Sequence, residues 1–382
     1  MGLFDTGRKV AEAFPPGEFI KEELEARGWS QSDLAAILGR NTGTVSQIIS
    51  GKQPINPRLA HELGAAFSTD AQSWMNLQTA YQLWKEQQEE SDDAVRRRAA
   101  LYSKAPVKEM LKRRWIESTE SIEVLESQVC KFLEIPNIDA EPKFAFAARQ
   151  RAYTEPPSSA TIAWLNRAKQ LASVIKAQRF SQKALEVALP NLRRLMERVD
   201  GVKEVPRILA DAGIRVVAIE KLSSMTVDAV TFWIDTAGGK SPVIALSLRF
   251  DRLDWFWHTL LHEIDHIRNG EGMDAPCIDV FEDSDDAVKP PTEVRCDEFA
   301  ASFSISRIEL DKFIARIRPY FTSDKAEGFA LRMKVHPAIA AGQVRNRIKN
   351  YSIFSPLVST KVRALILGPF MCDGWGQEPQ LQ

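Results

Sequence analysis

Apolar residues recur along this chain at two different periods. In residues 256–267 they fall at Phe256, Leu260, Leu261, Ile264 and Ile267, the spacing of one face of an α-helix. After Pro290-Pro291, the residues Val294, Phe299, Ala300 and Phe303 mark the apolar side of a second helix. Residues 215–219, 229–234 and 243–248 read instead as strands, and Gly238-Gly239 turns the second into the third, a hairpin just before the first of these helices. Nearer the amino terminus, Ser30 caps a short helix that Gly39 closes, and residues 42–50 supply another with Val45, Ile48 and Ile49 inward. Residues 160–195 are rich in helix formers, and Pro106, Pro136, Pro142 and Pro156-Pro157 interrupt the stretch before them. The pattern predicts an α+β, predominantly α-helical chain in four parts: a helical bundle over 13–84, a helical middle domain over 85–200, a mixed domain over 201–345 and a tail over 346–382. The acidic loop 271–291 stands as a cover for any cleft in the mixed domain, and the end from Cys372 onward reads as disordered.

The first helix carries His262-Glu263-Ile264-Asp265-His266. Positions i and i+4 lie one above the other on a helix, so both imidazoles can reach one metal ion. Glu263 is turned by roughly 100° from His262, beside the ion, where a general base would stand. H-E-x-x-H is therefore a zinc-hydrolase pattern with a physical reason for each fixed position. Only three residues are fixed, and ordinary helices match it by chance. A third protein ligand is needed. Glu293 and Asp297, again i and i+4, supply either that ligand and a carboxylate to orient a ligating histidine, or a solvated acidic face. His258 lies one turn before His262, and His336 precedes a proline. The first is a packing residue or a further ligand, the second a helix-start residue or an oxyanion stabiliser. Cys296, one turn from Glu293, reads as a small buried residue.

The two short amino-terminal helices, joined by a glycine-containing turn, have the helix-turn-helix arrangement, whose second helix can enter a DNA major groove. Thr42, Thr44, Gln47 and Lys52 are then the candidates for DNA contact, Gln47 toward adenine and Lys52 toward a phosphate. A small bundle without DNA is the alternative. Residues 1–80 hold seven Lys/Arg against nine Asp/Glu, so this part is not basic overall. A basic run from Arg96 to Arg114, interrupted only by Glu109, either flanks DNA or is the solvated face of a linker helix.

The residues of the mixed domain resemble the ImmA/IrrE family of zinc metallopeptidases. That family joins H-E-x-x-H to E-x-x-A-[ND]-x-F-A-A; here Glu293-Val294-Arg295-Cys296-Asp297-Glu298-Phe299-Ala300-Ala301 corresponds, with cysteine in place of the preferred alanine. The likeness takes in the strand at Val243 with Asp254-Trp255-Phe256-Trp257, and Val335-His336-Pro337-Ala338, and covers roughly residues 201–345. It implies a thermolysin-like core, a Zn²⁺ ion and endopeptidase action on a protein substrate; His262, His266 and Glu293 are then the candidate ligands, Asp297 the carboxylate behind one of them, Glu263 the candidate base and His336 the candidate oxyanion stabiliser. Residues 13–84, with Pro15-Pro16-Gly17-Glu18-Phe19 before the helix pair and Trp74-Met75-Asn76-Leu77 after it, are similar to the HigA-type antitoxin branch of the XRE helix-turn-helix family. That likeness implies a homodimeric operator-binding repressor and a toxin partner.

Composition narrows this further. With a formal net charge of −1 over 382 residues, nothing global argues for a polyanion or a membrane partner, and no apolar run is long enough for a bilayer. Four cysteines without paired spacing fit a reducing cytoplasm and exclude a cysteine-based zinc ribbon. The sequence thus predicts a cytoplasmic DNA-binding regulator with its own zinc endopeptidase, which cuts a regulator in trans or itself. The rival is an antitoxin-like autorepressor whose peptidase-like half is a sensor with little proteolysis.

Overall fold

The computed structural model describes residues 13–86, 91–144, 157–280, 289–376 and 379. Two compact units make up the chain, Met1–Arg98 and Ala99–Gln382.

In the first unit, five helices follow one another: α1 (Pro16–Arg27), α2 (Gln31–Ile37), α3 (Thr42–Ile49), α4 (Pro57–Phe67) and α5 (Ala71–Glu86). Each start is written locally. Ser30 and Asp33 close a reciprocal capping box on α2, and Asn41 and Asn56 accept the backbone N–H groups of Thr44 and Leu59 to start α3 and α4. The apolar faces meet in one core of Ile20, Leu34, Val45, Ile48, Leu59, Leu63 and Phe67. Phe67 is 1% exposed and lies between the rings of Trp29 and Trp74, with centroids at 6.1 and 5.8 Å. Gly17 allows α1 to touch the end of α3: a Cβ there would stand 1.9 Å from the carbonyl oxygen of Ile49. Because that oxygen is backbone, Gly17→Ala must push the helices apart, and we expect it to cost about 1–3 kcal/mol, as overpacking does. Amide exchange of α1 and α3 checks this; unchanged protection would refute it.

In the second unit the helices α7 (Val107–Lys112), α8 (Ile122–Leu133), α9 (Ser159–Val174), α10 (Gln182–Leu195) and α11 (Val205–Asp211), preceded in the chain by α6 (Ser91–Lys104), lead into a five-stranded sheet. Its order is β4-β2-β3-β1-β5, with β1 (Arg215–Ile219), β2 (Val227–Thr236), β3 (Gly239–Leu246), β4 (Cys277–Val280) and β5 (Met371–Asp373). The hairpin β2–β3 is antiparallel with Ala229 opposite Leu246, and β1 runs parallel to both β3 and β5. All five residues of β1 are buried because helices, α9 among them, cover the sheet, which explains the continuous apolar run. Across β2 and β3 lies α12 (Leu253–Arg268), followed by α13 (Pro291–Ser304), α14 (Arg307–Ile317), α15 (Ser323–Met333), α16 (Pro337–Ile348) and α17 (Arg363–Ile366). Leu253, Phe256, Trp257, Leu260, Leu261 and Ile264 of α12 all enter the core.

Two expectations about organisation are corrected here. The stretch 85–200 does not stand as a middle domain of its own, because from Ala99 on it belongs to the same compact unit as the sheet. Arg113, from the basic run, donates to the carbonyl oxygens of Glu220 and Lys221 at 2.5 and 2.7 Å, so it is committed to this unit rather than left as part of a solvated face. Nor is 346–382 a separate tail. Phe370 and Cys372 are buried, β5 completes the sheet edge, and Asp373 accepts from Trp115 Nε1 at 2.8 Å and pairs with Arg167. A strand this short sends no periodic signal of its own. The loop read across 271–291 contains β4, and its residues 281–288 lie outside the described residues, as do Pro156 and most of the end beyond Gly376.

Candidate metal centre and nucleic-acid interface

Helix α12 turns His262 and His266 to the same side, and α13 brings Glu293 and Asp297 to meet them. The Nε2 atoms of the two histidines lie 3.2 Å apart, and Glu293 Oε2 is 3.0 Å from His262 Nε2 and 3.7 Å from His266 Nε2. Both rings are buried, at 2% and 1% exposed. Behind each ring stands a carboxylate. His262 Nδ1 donates to Asp297 Oδ1 at 3.0 Å, and His266 Nδ1 donates to Glu271 Oε2 at 2.6 Å. With both Nδ1 hydrogens so engaged, three lone-pair atoms face one another. That grouping is repulsive unless a proton or a cation stands among them.

A metal ion fits the donor set. Two imidazole nitrogens and one carboxylate oxygen at bond lengths of about 2.0–2.2 Å on the corners of a tetrahedron are about 3.3 Å from one another, close to the separations present. Charge favours the same reading. Burial would raise the Glu293 carboxyl, but hydrogen bonds from His262 and His266 outweigh it and hold the pKa at about 2. Burial likewise lowers His266, yet the thiols of Cys277 and Cys296 and the Glu293 carboxylate carry it well above the ordinary histidine range. Burial also works against Asp297, and His258 and His262 hold it below the usual carboxylate range. The carboxylates of Glu293 and Asp297 are thus held ionised by the imidazoles beside them.

Glu263, the proposed base, is fully buried on the same helix, and its carbonyl accepts from Thr231 Oγ1 at 3.3 Å, which ties α12 to β2. His258 Nε2 lies 3.4 Å from Asp297 Oδ1, the carboxylate that also meets His262. Cys296 is buried, with its sulfur 3.5 Å from His266 Nδ1.

His336 is placed elsewhere. Its Nδ1 accepts the backbone N–H of Ala338 at 3.1 Å, its own N–H donates to Met196 O at 2.7 Å, and it caps the start of α16. Burial lowers its pKa, and none of its hydrogen bonds among the described residues reaches the histidine–carboxylate cluster. The proline after it explains the placement: Pro337 opens the helix and leaves His336 as the cap.

Sequence reasoning missed Glu271 and Arg295. Gly270-Glu271-Gly272 just past the end of α12 was the available signal, since glycines that permit a left-handed cap bring the next side chain back over the last turn.

In the first unit, Thr42, Gln47 and Lys52 are exposed on and just after α3. Thr44 is half-buried and its hydroxyl donates to Asn41 Oδ1 at 2.9 Å, so the cap that starts the helix uses it. Ser46, four residues after Thr42 and unnoticed in the sequence, is exposed as well. Arg40 is engaged with Glu62 at 2.7 Å, whereas Lys52, just after α3, is exposed.

Comparison with known proteins addresses this unit. Residues 20–73 match the helix-turn-helix family. Virulence-associated protein I of Dichelobacter nodosus is 37% identical over 78 residues, which is 20% of this chain and 72% of that protein. An uncharacterized HTH-type transcriptional regulator of Haemophilus influenzae is 39% identical over 69 residues, 18% of this chain and 64% of the relative. The HTH-type transcriptional regulator YddM of Escherichia coli is 31% identical over 75 residues, 20% and 80% of the two chains. A solved structure from Nostoc punctiforme, described as an antidote protein of a plasmid maintenance system, aligns over 22% of this chain and 91% of its own, with 29% identity and a TM-score of 0.21. By its amino-terminal unit, the chain belongs to the helix-turn-helix family of transcriptional regulators.

Proposed function

We propose that the chain is a DNA-binding regulator whose second unit is a zinc-dependent endopeptidase acting on a regulator protein, either a separate repressor or the chain itself. The observation that carries the peptidase reading is the meeting of His262 Nε2, His266 Nε2 and Glu293 Oε2 within 3.0–3.7 Å, with Glu263 on the same helix. His262, His266 and Glu293 would hold Zn²⁺, which when bound supplies Lewis-acid polarisation of a peptide carbonyl and a nucleophile at neutral pH. Glu263 takes the proton that water loses as it attacks the carbonyl carbon, and returns it to the leaving amine nitrogen. Asp297 keeps the His262 ring turned with Nε2 toward the centre.

On this reading the first unit binds operator DNA as a homodimer, and the HigA-like text brings a toxin partner with it. Among the described residues no helix is long and apolar enough to cross a membrane. Lys52→Ala is expected to weaken operator binding evenly across sequences and to reduce the salt slope by about 1, and Gln47→Ala to cost about 1–3 kcal/mol at one base position. Fluorescence anisotropy with the chain's own upstream DNA at several salt concentrations measures both; equal affinities for all sequences would count against operator recognition.

The decisive test of the hydrolytic half is metal analysis of the purified full chain together with incubation against helix-turn-helix repressors and against itself. One zinc per chain and a cut peptide bond support it. Zinc-loaded protein that leaves every substrate intact while shifting its operator returns the rival, a repressor with a non-hydrolytic sensor.

A further inference from the structure

The end of α12 is built to hold one carboxylate against one ligand. Gly270 takes a left-handed conformation, φ 69°, and its N–H donates to Ile267 O at 3.0 Å. The next N–H, that of Glu271, donates to His266 O at 2.9 Å. This is the double bond of a Schellman cap, and its second arm ends on the residue whose ring Glu271 also touches. The side chain completes the loop, since Glu271 Oε2 accepts from His266 Nδ1 at 2.6 Å. The backbone is pinned from the sheet as well: Trp233 Nε1 donates to Glu271 O at 2.9 Å, and Gly272 packs so closely on β2 that a Cβ would stand 3.0 Å from Thr231 O.

The carboxylate is fixed in turn from the other ligand-bearing helix. Arg295, two residues after Glu293 on α13, grips both Glu271 oxygens at 3.1 and 2.8 Å and places its Nε 2.8 Å from Asp265 Oδ2 on α12. A forked guanidinium holding a carboxylate by two bonds sets direction as well as distance. One arginine therefore braces α12 against α13 at the level of the donors.

We propose that Glu271 and Arg295 are positioning residues for the cation site: Glu271 fixes His266 with its proton on Nδ1 and its Nε2 lone pair toward the ion, and Arg295 holds Glu271 in that role. The inference rests on the zinc reading above. It adds that the grip on His266 comes from a cap outside both helical motifs.

The test is zinc affinity of the full chain by competition with a chromophoric chelator, with the absorption spectrum of the cobalt-substituted protein as second readout. Glu271→Ala is expected to weaken zinc by about 10- to 100-fold, the range for removing a group that orients a metal-bound histidine, and to change the cobalt spectrum. Glu271→Gln keeps an acceptor and recovers part of the loss, and Arg295→Met, which leaves Glu271 without its clamp, falls between. If the alanine variant loses helix content, the glutamine and Arg295 variants decide, since Gln preserves shape and the backbone cap. Wild-type binding of one zinc with unchanged affinity in folded variants overturns this inference alone. A wild-type chain that takes up no zinc overturns it together with the reading beneath it.

Discussion

Glu263→Gln is expected to abolish proteolysis, slowing it by about 10²–10⁴-fold, while the chain still binds one zinc ion. The change replaces a carboxylate by an amide of the same shape, so the packing of α12 is undisturbed, but an amide cannot accept and return a proton. The proposed binding atoms are elsewhere, on His262, His266 and Glu293. That separation makes the experiment sharp: His266→Ala removes metal and activity together, Glu263→Gln removes activity alone. Both are followed by zinc content and by the appearance of a cut product from a repressor substrate or from the chain itself. If Glu263→Gln cuts as fast as the parent, the base has been misassigned. If it loses its zinc, Glu263 holds the site together rather than moving protons.

The second large effect concerns the DNA-binding unit. Phe67→Ala is expected to unfold it and to eliminate operator binding. Truncating a buried phenylalanine costs about 3–5 kcal/mol, while whole domains are stable by only about 5–15 kcal/mol and small ones lie at the low end. Phe67, at the end of α4, meets three other parts of the unit: Trp29 before α2, Trp74 on α5, and the Arg27 guanidinium at 5.2 Å from its ring, which also donates to Phe67 O at 2.6 Å. Phe67→Leu keeps most of the volume and is expected to cost less than about 1.5 kcal/mol and to bind operator. Gel shift and amide exchange across α1–α5 check the pair. An alanine variant with native protection and affinity would show that the three aromatic rings are not the centre of this core.

What the sequence made legible follows the range over which each signal acts. The cap of α2, the hairpin at Gly238-Gly239 and the two donors of H-E-x-x-H depend on residues within a turn or two of one another. Glu293 and Asp297 were found at a distance because their own i, i+4 spacing repeats on a second helix. By contrast, Glu271 comes from a loop whose conformation is set by two glycines, and no periodicity points to it. Arg295 reads as an ordinary surface cation until α13 is laid beside α12. His336 drew attention as a titratable group before an apolar stretch, but its neighbour Pro337 decided its place as a cap. Thr44 has a nearer partner for a similar reason, because a hydroxyl three residues after an asparagine cap lies within reach of that cap's side-chain oxygen. The short β5 and the inclusion of residues 99–200 with the sheet depend on contacts far apart in sequence, for which local pattern carries no information.

The pairing of β5 with β1 also sets a timetable for the nascent polypeptide. All five helices of the first unit lie within residues 16–86, so their mutual contacts, α1 with α5 included, can form once α5 has left the ribosome. The sheet edge formed by Val217 waits for Met371. At about 5–20 residues per second, the intervening synthesis takes tens of seconds. During that interval the sheet beneath the α12 histidines is unfinished, so the proposed hydrolytic capacity would be acquired only after the helix-turn-helix unit has folded.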